Sequence, residues 1–293
     1  MASLKEIRAR IASVASTQKI TNAMKMVSAA KLKKAEATTL KFVPYKTKLS
    51  EALTNYLSSM EESVNIPLAE HREVRKVALM AFSSNSGLCG VYNSNINKLF
   101  KVIYDEYAAQ IGAENILIYT VGKKINDYMK RVGLPVEKHY HELSEKPSYD
   151  SACEISDMFV DMFLKGEVDK VELIFNHYKN TGVQIPQREA VLPLSTDIET
   201  AGDSKSSLDY IVEPSKEEFV NELVPKVLRT NFYSTMLDAF TAEHGARTTA
   251  MHIASDNAET LSQELKILYN KARQEVITNE LIDIVGGAEA LNG

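Results

Sequence analysis

Residues 251–272 read MHIASDNAETLSQELKILYNKA, in which a small or apolar side chain recurs at alternating steps of three and four. The recurring positions are Met251, Ala254, Ala258, Leu261, Leu265, Leu268 and Ala272. This spacing is typical of a heptad seam, along which one face of a long helix packs against another helix. The pattern therefore predicts a helix with a paired partner.

Helix breakers are rare on both sides of this seam. Between Pro225 and Gly286 the chain has a single glycine, Gly245, and both residue types weaken a helix interior. We therefore predict a helix from about Phe219 to Val285. The 60 residues that follow Pro225 in it would reach about 90 Å at 1.5 Å per residue, so we expect this helix to extend beyond its own domain.

The other end of the chain carries a second stripe at three-four spacing. It runs through Leu4, Ile7, Ile11 and Val14 and, after a slip, through Ile20, Met24 and Val27. The first proline is Pro44, so we predict a helix from about Leu4 to the low forties. Beyond Pro44 the stripe continues through Leu49, Leu53 and Tyr56 as far as Met60.

The middle of the chain alternates strand and helix signals. Strands are predicted at 77–82, 116–121 and 171–175, with an extended edge segment at 183–194 that Pro186 interrupts. Helices are predicted through Leu99 and Phe100, from Gly122 to Gly133 and from Ser151 to Phe163. Such alternation predicts a parallel or mixed sheet with helices packed on it. Residues 196–207, rich in Ser, Thr, Asp and Gly, are predicted to be a surface linker.

The predicted fold is therefore α/β, with a long antiparallel coiled coil of N- and C-terminal helices and a central Rossmann-like domain. We place the N-terminal helix at residues 1–60, the α/β domain at 75–200 and the C-terminal helix at 210–290. A compact domain between the helices brings the chain back, which makes their pairing antiparallel. The alternative, that both are core helices of a large bundle, is disfavoured by their length.

The net charge of −5 conceals an asymmetry. Residues 1–43 carry nine basic and two acidic side chains, a net +7, so the rest of the chain carries −12. A basic helix on an acidic protein indicates an anionic partner. Charge alone leaves nucleic acid, an anionic membrane surface and an acidic protein surface open.

Composition disfavours several classes of protein. No stretch approaches about 18 consecutive apolar residues, and the first residues lack the apolar block of a secretory signal. We expect an intracellular protein that reaches a membrane only by docking. Cys89 and Cys153 form no Cys-x-x-Cys pair, so we expect both to be reduced.

Motifs for bond chemistry are weak. The run from Gly87 to Gly90 stands where dinucleotide folds place a phosphate loop, but it lacks the spacing of Gly-x-Gly-x-x-Gly and the ending of a P-loop. We interpret it as a structural turn that Gly87→Ala weakens if Gly87 has a positive φ. His139 and His141 lack an evident third metal ligand. We predict no catalytic residue, no cofactor and no metal.

Three runs of sequence point to one family. The C-terminal run ITNELIDIVGGAEA, residues 277–290, closely resembles the signature of the γ chain family of F-type ATP synthases. That pattern has Ile or Val, Thr, any residue and Glu, then an acidic residue three positions further on, then Gly-Ala. TQKIT with AMKMV at residues 17–27 and YNKARQ at residues 269–274 look like the same family.

This resemblance implies a non-catalytic subunit, the central rotary shaft of the proton-translocating ATP synthase. The shaft would couple c-ring rotation to ATP synthesis or hydrolysis at the β subunits. The implied partners are the α, β, δ and ε subunits and the membrane c-ring, with one copy of the chain per complex and with neither nucleic acid nor a small-molecule substrate. The implied location is peripheral, at the cytoplasmic face of a bacterial membrane.

The resemblance also implies contact residues. By motif match, Met24, Lys25, Arg273 and Gln274 would contact β subunits, which in the family present an acidic loop to the basic helix. Tyr210 and Glu213 resemble the part of the α/β domain that meets the c-ring and ε.

This sequence departs from the family pattern at two places, and two rival functions stay open. Asn85 and Ser86 replace charged residues of the family's glycine turn, and Val212 replaces an aromatic residue before Glu-Pro.

The first rival function is a nucleotide-binding α/β enzyme, against which the missing phosphate fingerprint counts. The second is a basic coiled-coil RNA-binding protein, which would need more stacking aromatic residues than Phe42 and Tyr45 near the basic helix.

Overall fold

The computed structural model describes residues 3–59, 67–194 and 216–292. Two long helices, α1 (Leu4–Ser59) and α5 (Lys216–Asn292), flank an α/β region. Its strands are β1 (Val77–Phe82), β2 (Ile116–Val121), β3 (Lys138–Tyr140), β4 (Lys170–Asn180) and β5 (Val183–Leu192). Its helices are α2 (Tyr92–Ile111), α3 (Lys123–Val132) and α4 (Tyr149–Leu164), with short 3-10 turns at Pro67–Ala69, Ala113–Asn115 and Glu142–Ser144.

The chain divides into two compact units. Met1–Ser28 and Thr248–Gly293 form one, here named the coil unit, and Ala29–Arg247 form the other, here named the sheet unit. Each long helix contributes to both units. Among the described residues, no helix combines the length and the apolar character needed to cross a membrane.

The sheet has five strands in the order β3-β2-β1-β4-β5. The first four are parallel, and β5 pairs antiparallel with β4 at the edge. Strand order reverses at β1, as in doubly wound folds, where the chain first builds outward on one side and then crosses to the other. The predicted mixed, Rossmann-like sheet is confirmed, and the three-residue β3 is an addition to the predicted strands.

Both faces of the sheet are covered by apolar side chains. Alternate residues of a strand point to opposite faces. Val77, Leu79 and Ala81 pack with α2 and α3, while Ala78, Met80 and Phe82 pack with α4 and with the parts of both long helices in the sheet unit. From α5 this second layer takes Leu223, Val224, Val227, Leu228, Phe232, Met236 and Ala239. The base of α5 is therefore part of the domain core.

Helix α1 begins with a capping box and continues through a proline. Ser3 Oγ accepts from the Glu6 backbone N–H at 3.3 Å, and Glu6 Oε2 accepts from the Ser3 N–H at 2.9 Å, which satisfies two donors of the first turn. Pro44 does not end the helix. Leu40, whose carbonyl loses its helical donor at Pro44, is 79% exposed, so that carbonyl can be hydrated. The stripe that continues beyond Pro44 thus belongs to the same helix.

Candidate functional site: the coiled coil and the filled crevice

The two helices of the coil unit run antiparallel. The Arg8 guanidinium donates to the Tyr269 hydroxyl at 2.5 Å, and Thr21 Oγ1 lies 2.7 Å from Ser255 Oγ in a buried hydrogen bond. Higher numbers on α1 therefore meet lower numbers on α5. The predicted antiparallel pairing of the terminal helices is confirmed.

The seam of α5 differs from the predicted one at alternate positions. Met251, Ala258 and Leu265 are buried as predicted, but Leu261 is 45% exposed and Leu268 is 54% exposed. The places of Ala254, Leu261 and Leu268 are taken by Ser255, Ser262 and Tyr269, which together with the correct positions form an unbroken heptad. The prediction chose the apolar residue one position early because it ranked side chains by hydropathy, whereas helix geometry selects the residue facing α1.

The seam of α1 has no slip. After Val14 the inward positions are Gln18, Thr21, Lys25 and Ser28, which keep the alternating steps of four and three. The predicted positions Ile20 and Val27 are each 58% exposed, so that part of the prediction is wrong. The middle of the coil unit therefore has polar layers inside and apolar side chains outside. Polar residues at seam positions lower stability but specify helix register.

Exposed apolar side chains continue along the outer surface of the coil unit. On α1, Ile20, Met26 and Val27 are more than half exposed. On the C-terminal part of α5, Ile267, Leu281, Ile282, Ile284 and Val285 have exposures between 56% and 70%. Exposed apolar surface of this extent marks an interaction surface, and the polar seam beneath it explains why hydropathy alone misplaced it.

The four residues predicted to contact β subunits lie at two levels of the coil unit. Met24 and Lys25 are half-buried on α1, with Lys25 at a seam position, and Arg273 and Gln274 are exposed on α5. Antiparallel pairing puts α5 residues near 252 opposite Lys25, about 21 residues or roughly 30 Å along the helix from Arg273. The structure therefore does not bring the two pairs together. Tyr210, Glu213, Val212 and the predicted linker at 196–207 lie outside the described residues.

The carboxyl edge of the sheet, where doubly wound folds bind ligands at the reversal of strand order, is filled by helix α5. The Arg247 guanidinium donates to Glu243 Oε1 at 2.6 Å and to Ser86 Oγ at 3.1 Å. Ser144 Oγ donates to Ser83 O at 2.9 Å and lies 3.4 Å from Glu243 Oε2. Burial raises the pKa of Glu243, although Arg247 and Ser144 act in the opposite direction.

Little space remains at this edge. The cavity lined by Ser83, Tyr92, Ser144, Phe240 and Glu243 has a volume of about 10 Å³, which suffices for about one water molecule. A nucleotide is far larger. The crevice therefore serves as the seat of helix α5.

The amino end of α3, a potential anion site, is satisfied from within the chain. Its first three N–H groups donate in turn to Asn85 Oδ1 at 3.0 Å, Ser84 O at 3.0 Å and Ser83 Oγ at 3.0 Å. Asn85 also donates to His141 O and Glu145 Oε1. Asn85 is thus a helix cap and loop tie, a role that sequence reasoning missed. The available signal was that Asn85 directly follows Ser84 and precedes a turn, a setting in which Asn is common.

The glycine turn follows a different backbone path from the predicted one. Gly87 does not have a positive φ; Leu88 (φ 63°) and Gly90 (φ 58°) do. The conditional prediction for Gly87→Ala therefore fails in its premise. The closest backbone approach lies instead at Gly122, with φ 87°, where a Cβ atom would lie 2.1 Å from Ser83 O.

The two histidines considered as metal ligands have other contacts. His139 Nδ1 lies 3.0 Å from Thr120 Oγ1, and burial lowers the pKa of His139. The rings of His139 and His141 are 6.0 Å apart. Across the parts of the chain that the structure describes, no group of three or more His, Cys, Asp or Glu side chains could hold a metal ion.

Comparisons with known proteins agree over the whole chain. A family model described as ATP synthase matches residues 3–291. The ATP synthase gamma chain of Phocaeicola vulgatus is 47% identical over 291 residues, covering 99% of this chain and 100% of the relative. The ATP synthase gamma chain of Flavobacterium johnsoniae is 48% identical over 293 residues, covering 100% of both.

Solved structures share the fold. A chain of the Euglena gracilis mitochondrial ATP synthase in rotational state 3 has a TM-score of 0.66 at 19% identity, covering 98% of this chain and 94% of that chain. A chain of the rotor of the same organism's enzyme in rotational state 1 has a TM-score of 0.62 at 18% identity, covering 94% of this chain and 98% of that chain.

The fold and the site define a class of protein that has paired antiparallel terminal helices and a doubly wound domain whose usual ligand crevice is filled by a helix. Within that class, the identity to curated relatives is decisive. The chain belongs to the ATP synthase γ chain family. It is a non-catalytic stalk subunit.

Proposed function

We propose that the chain acts as the central rotary shaft of an ATP synthase and couples c-ring rotation to ATP synthesis or hydrolysis at the β subunits. The observation that carries this proposal is the pairing of α1 and α5 through an antiparallel heptad seam in the coil unit, while the base of α5 forms part of the core of the sheet unit. Residues 1–60 and 210–290 would form the shaft and residues 75–200 the foot. The implied location is the cytoplasmic face of a bacterial membrane, reached by docking.

The outer surface of the coil unit would face a ring of α and β subunits. Its exposed apolar side chains suit sliding contacts, because they make no directional hydrogen bonds that rotation would have to break. The Arg273 guanidinium is exposed and makes no hydrogen bond or ion pair with any other described residue. It is therefore available to a carboxylate of a β subunit. Lys25 would add a second cation, Gln274 a neutral hydrogen-bonding group and Met24 an apolar contact.

The mechanism follows from asymmetry. Residues 1–43 carry a net +7, whereas residues 251–293 carry three basic and seven acidic side chains. Each orientation would therefore present a different surface to each β subunit and favour a different nucleotide state at three otherwise equivalent sites. Such differential contacts couple rotation to nucleotide affinity in both directions.

The foot would supply the remaining partners. Tyr210 and Glu213 are proposed to meet the c-ring and ε, and δ completes the complex, with one copy of this chain in each. Neither nucleic acid nor a small-molecule substrate is required. The filled crevice and the self-capped α3 support this proposal over the nucleotide-binding alternative.

The test is Arg273→Ala in a complex assembled with the partner subunits. A charge-assisted hydrogen bond contributes roughly 1.5 to 3 kcal/mol when partly desolvated, and here it would form in only some orientations. We expect lower multisite turnover and lower ATP-driven proton pumping, with single-site nucleotide binding retained. Lys266→Ala removes an exposed cation from the same helix and serves as the control. Normal turnover in the Arg273 variant would reduce that residue to a solvated side chain.

A further inference from the structure

The turn between β4 and β5 lies against both long helices within the sheet unit. The Tyr178 hydroxyl donates to Glu36 Oε1 on α1 at 2.6 Å and lies 3.1 Å from Thr181 Oγ1. The same side chain packs on α5 beside Gly245. One residue of the sheet thus contacts both helices close to the point where each continues into the coil unit.

Gly245 makes this contact possible. A Cβ atom at that position would lie 2.8 Å from Tyr178 Cε2 and 3.3 Å from Tyr178 Cδ2. Real Cβ atoms do not approach carbon so closely, so any larger residue would displace the ring. Glycine weakens a helix interior, and its presence here is explained by the close approach of the aromatic ring.

The strand that carries Tyr178 is itself tied to α5. Asp238 Oδ1 accepts from the Tyr178 backbone N–H at 2.8 Å, and Asp238 Oδ2 lies 2.6 Å from His177 Nδ1. Asp238 and Gly245 are seven residues apart, so they lie on the same face of the helix. Tyr178 is therefore held by its backbone as well as by its ring.

The turn that follows is also braced. The Gly182 N–H donates to Asn180 Oδ1 at 3.0 Å, and Gln184 Nε2 donates to the carbonyls of Asn180 and Thr181. These bonds hold the turn in one conformation. Burial and the Glu36 carboxylate raise the pKa of Tyr178, so the hydroxyl remains protonated and can donate to Glu36 at neutral pH.

We infer that Tyr178 is a positioning residue for torque transmission, a clamp that fixes α1 and α5 to the sheet so that rotation of the foot turns both helices together. The inference rests on the proposed shaft function. Farther along α1, Phe42 and Lys46 contact Tyr233 and Ser234 of α5 rather than the sheet. The Tyr178–Glu36 bond therefore links α1 to a strand directly, where those contacts link one helix to the other.

The two halves of the clamp can be separated by substitution. Tyr178→Phe removes the bond to Glu36 but keeps the ring on Gly245, so it should loosen α1 and leave α5 in place. Gly245→Ala should push the ring away and loosen both attachments. Glu36→Gln keeps an acceptor oxygen for the Tyr178 hydroxyl, whereas Glu36→Ala does not. Tyr128→Phe, on α3 in a different apolar cluster from Tyr178, is the matched control.

The experiment uses the full chain assembled with its partner subunits. Amide hydrogen exchange over residues 30–42 should be about tenfold faster in Tyr178→Phe, because a lost hydrogen bond to a charged group lowers local opening energy by that order. Glu36→Ala should match it, the double variant should add little more, and Glu36→Gln and Tyr128→Phe should resemble the unchanged chain. In Tyr178→Phe and Glu36→Ala, a probe on the foot should show wider angular fluctuations during ATP-driven rotation. Fewer protons should be pumped per ATP hydrolysed in the same variants.

Unchanged exchange and unchanged fluctuations in both Tyr178→Phe and Glu36→Ala would overturn the clamp and leave the shaft function intact. Faster exchange without any change in fluctuation or pumping would also overturn it, since the contact would then stabilise the fold only. A foot that does not rotate in the unsubstituted complex would instead contradict the proposed function.

Discussion

Single residues of the sheet unit are held by backbone geometry as much as by side-chain chemistry. Gly122 has φ 87°, and a Cβ atom there would meet the Ser83 carbonyl oxygen at 2.1 Å. Gly87, by contrast, has an ordinary φ, and a Cβ atom added to it would lie in open space. The two glycines near the carboxyl edge therefore differ sharply in what they tolerate.

We predict that Gly122→Ala lowers the free energy of unfolding by at least about 2 kcal/mol, because it combines left-handed strain with a backbone clash. Gly87→Ala should change it by less than about 0.5 kcal/mol. Urea unfolding of the full chain measures both. Equal losses in the two variants would contradict this account of the turn.

His244 supplies a second prediction at this scale. Burial, with Arg247 and Lys31 nearby, lowers the pKa of His244 to about 3. In the unfolded chain the pKa is about 6.5, so between these values the unfolded state binds the additional proton. This contribution to stability is complete above about pH 6.5 and is lost as pH falls towards about 3.

We therefore expect the free energy of unfolding to fall by up to about 2 kcal/mol more in the unsubstituted chain than in His244→Gln between about pH 7.5 and about pH 5. Subtracting the variant removes the contributions of other groups, including Glu243. An identical pH dependence in both proteins would show that folding does not lower the pKa of His244.

The segments of the coil unit are helices, as predicted, but the face that each turns inward differs from the predicted one. Leu265 is 7% exposed in the seam, whereas Leu268, also predicted to be in the seam, is 54% exposed. Ser255 and Tyr269 occupy inward positions through their contacts with Thr21 and Arg8. Helix register is therefore carried partly by hydrogen bonds.

These two leucines test the register. Leu265→Asp should lower the free energy of unfolding of the unassembled chain by about 3 kcal/mol or more, since it places an unpaired charge in a buried layer. Leu268→Asp should cost less than about 1 kcal/mol. Thermal unfolding followed by circular dichroism provides the measurement. A larger loss for Leu268→Asp would restore the seam through Leu261 and Leu268.

Across the whole molecule, the fold that elsewhere opens a ligand crevice is used to seat a helix. Glu243 and Arg247 are both buried, with side-chain exposures of 8% and 7%, and their pairing with Ser86 and Ser144 fills the edge of the sheet. A buried pair of this kind is costly to break, so the crevice is not readily opened.

We expect isothermal titration of the isolated full chain with magnesium and ATP to give no saturable heat at micromolar concentrations. The reason is steric, because about 10 Å³ of cavity leaves room for about one water molecule. Saturable binding that Arg247→Ala strengthens would show that the crevice opens and would revive the nucleotide-binding alternative.

Local signals in the sequence were sufficient for the sheet strands. The strands Val77–Phe82 and Ile116–Val121 occur with the predicted bounds. A short continuous apolar run that ends at Ser or Gly is compatible with few structures other than a buried strand. The predicted strand at 171–175 extends to Lys170–Asn180, since its polar end at Tyr178 is held by contacts with α1 and α5. Those contacts are distant in sequence and left no local pattern.

The sequence by itself determined the types of element, the antiparallel pairing of the terminal helices and the family, because hydrophobic periodicity, helix breakers and terminal motifs are local properties of the chain. Only the tertiary structure decided which helix face is inward, where Ser and Thr replace exposed Ile and Leu in the seam. It also decided that α5 fills the crevice and that Tyr178 reaches Glu36. The physical reason is that these choices depend on partners up to 261 residues away, whose hydrogen bonds and close contacts outweigh local hydropathy.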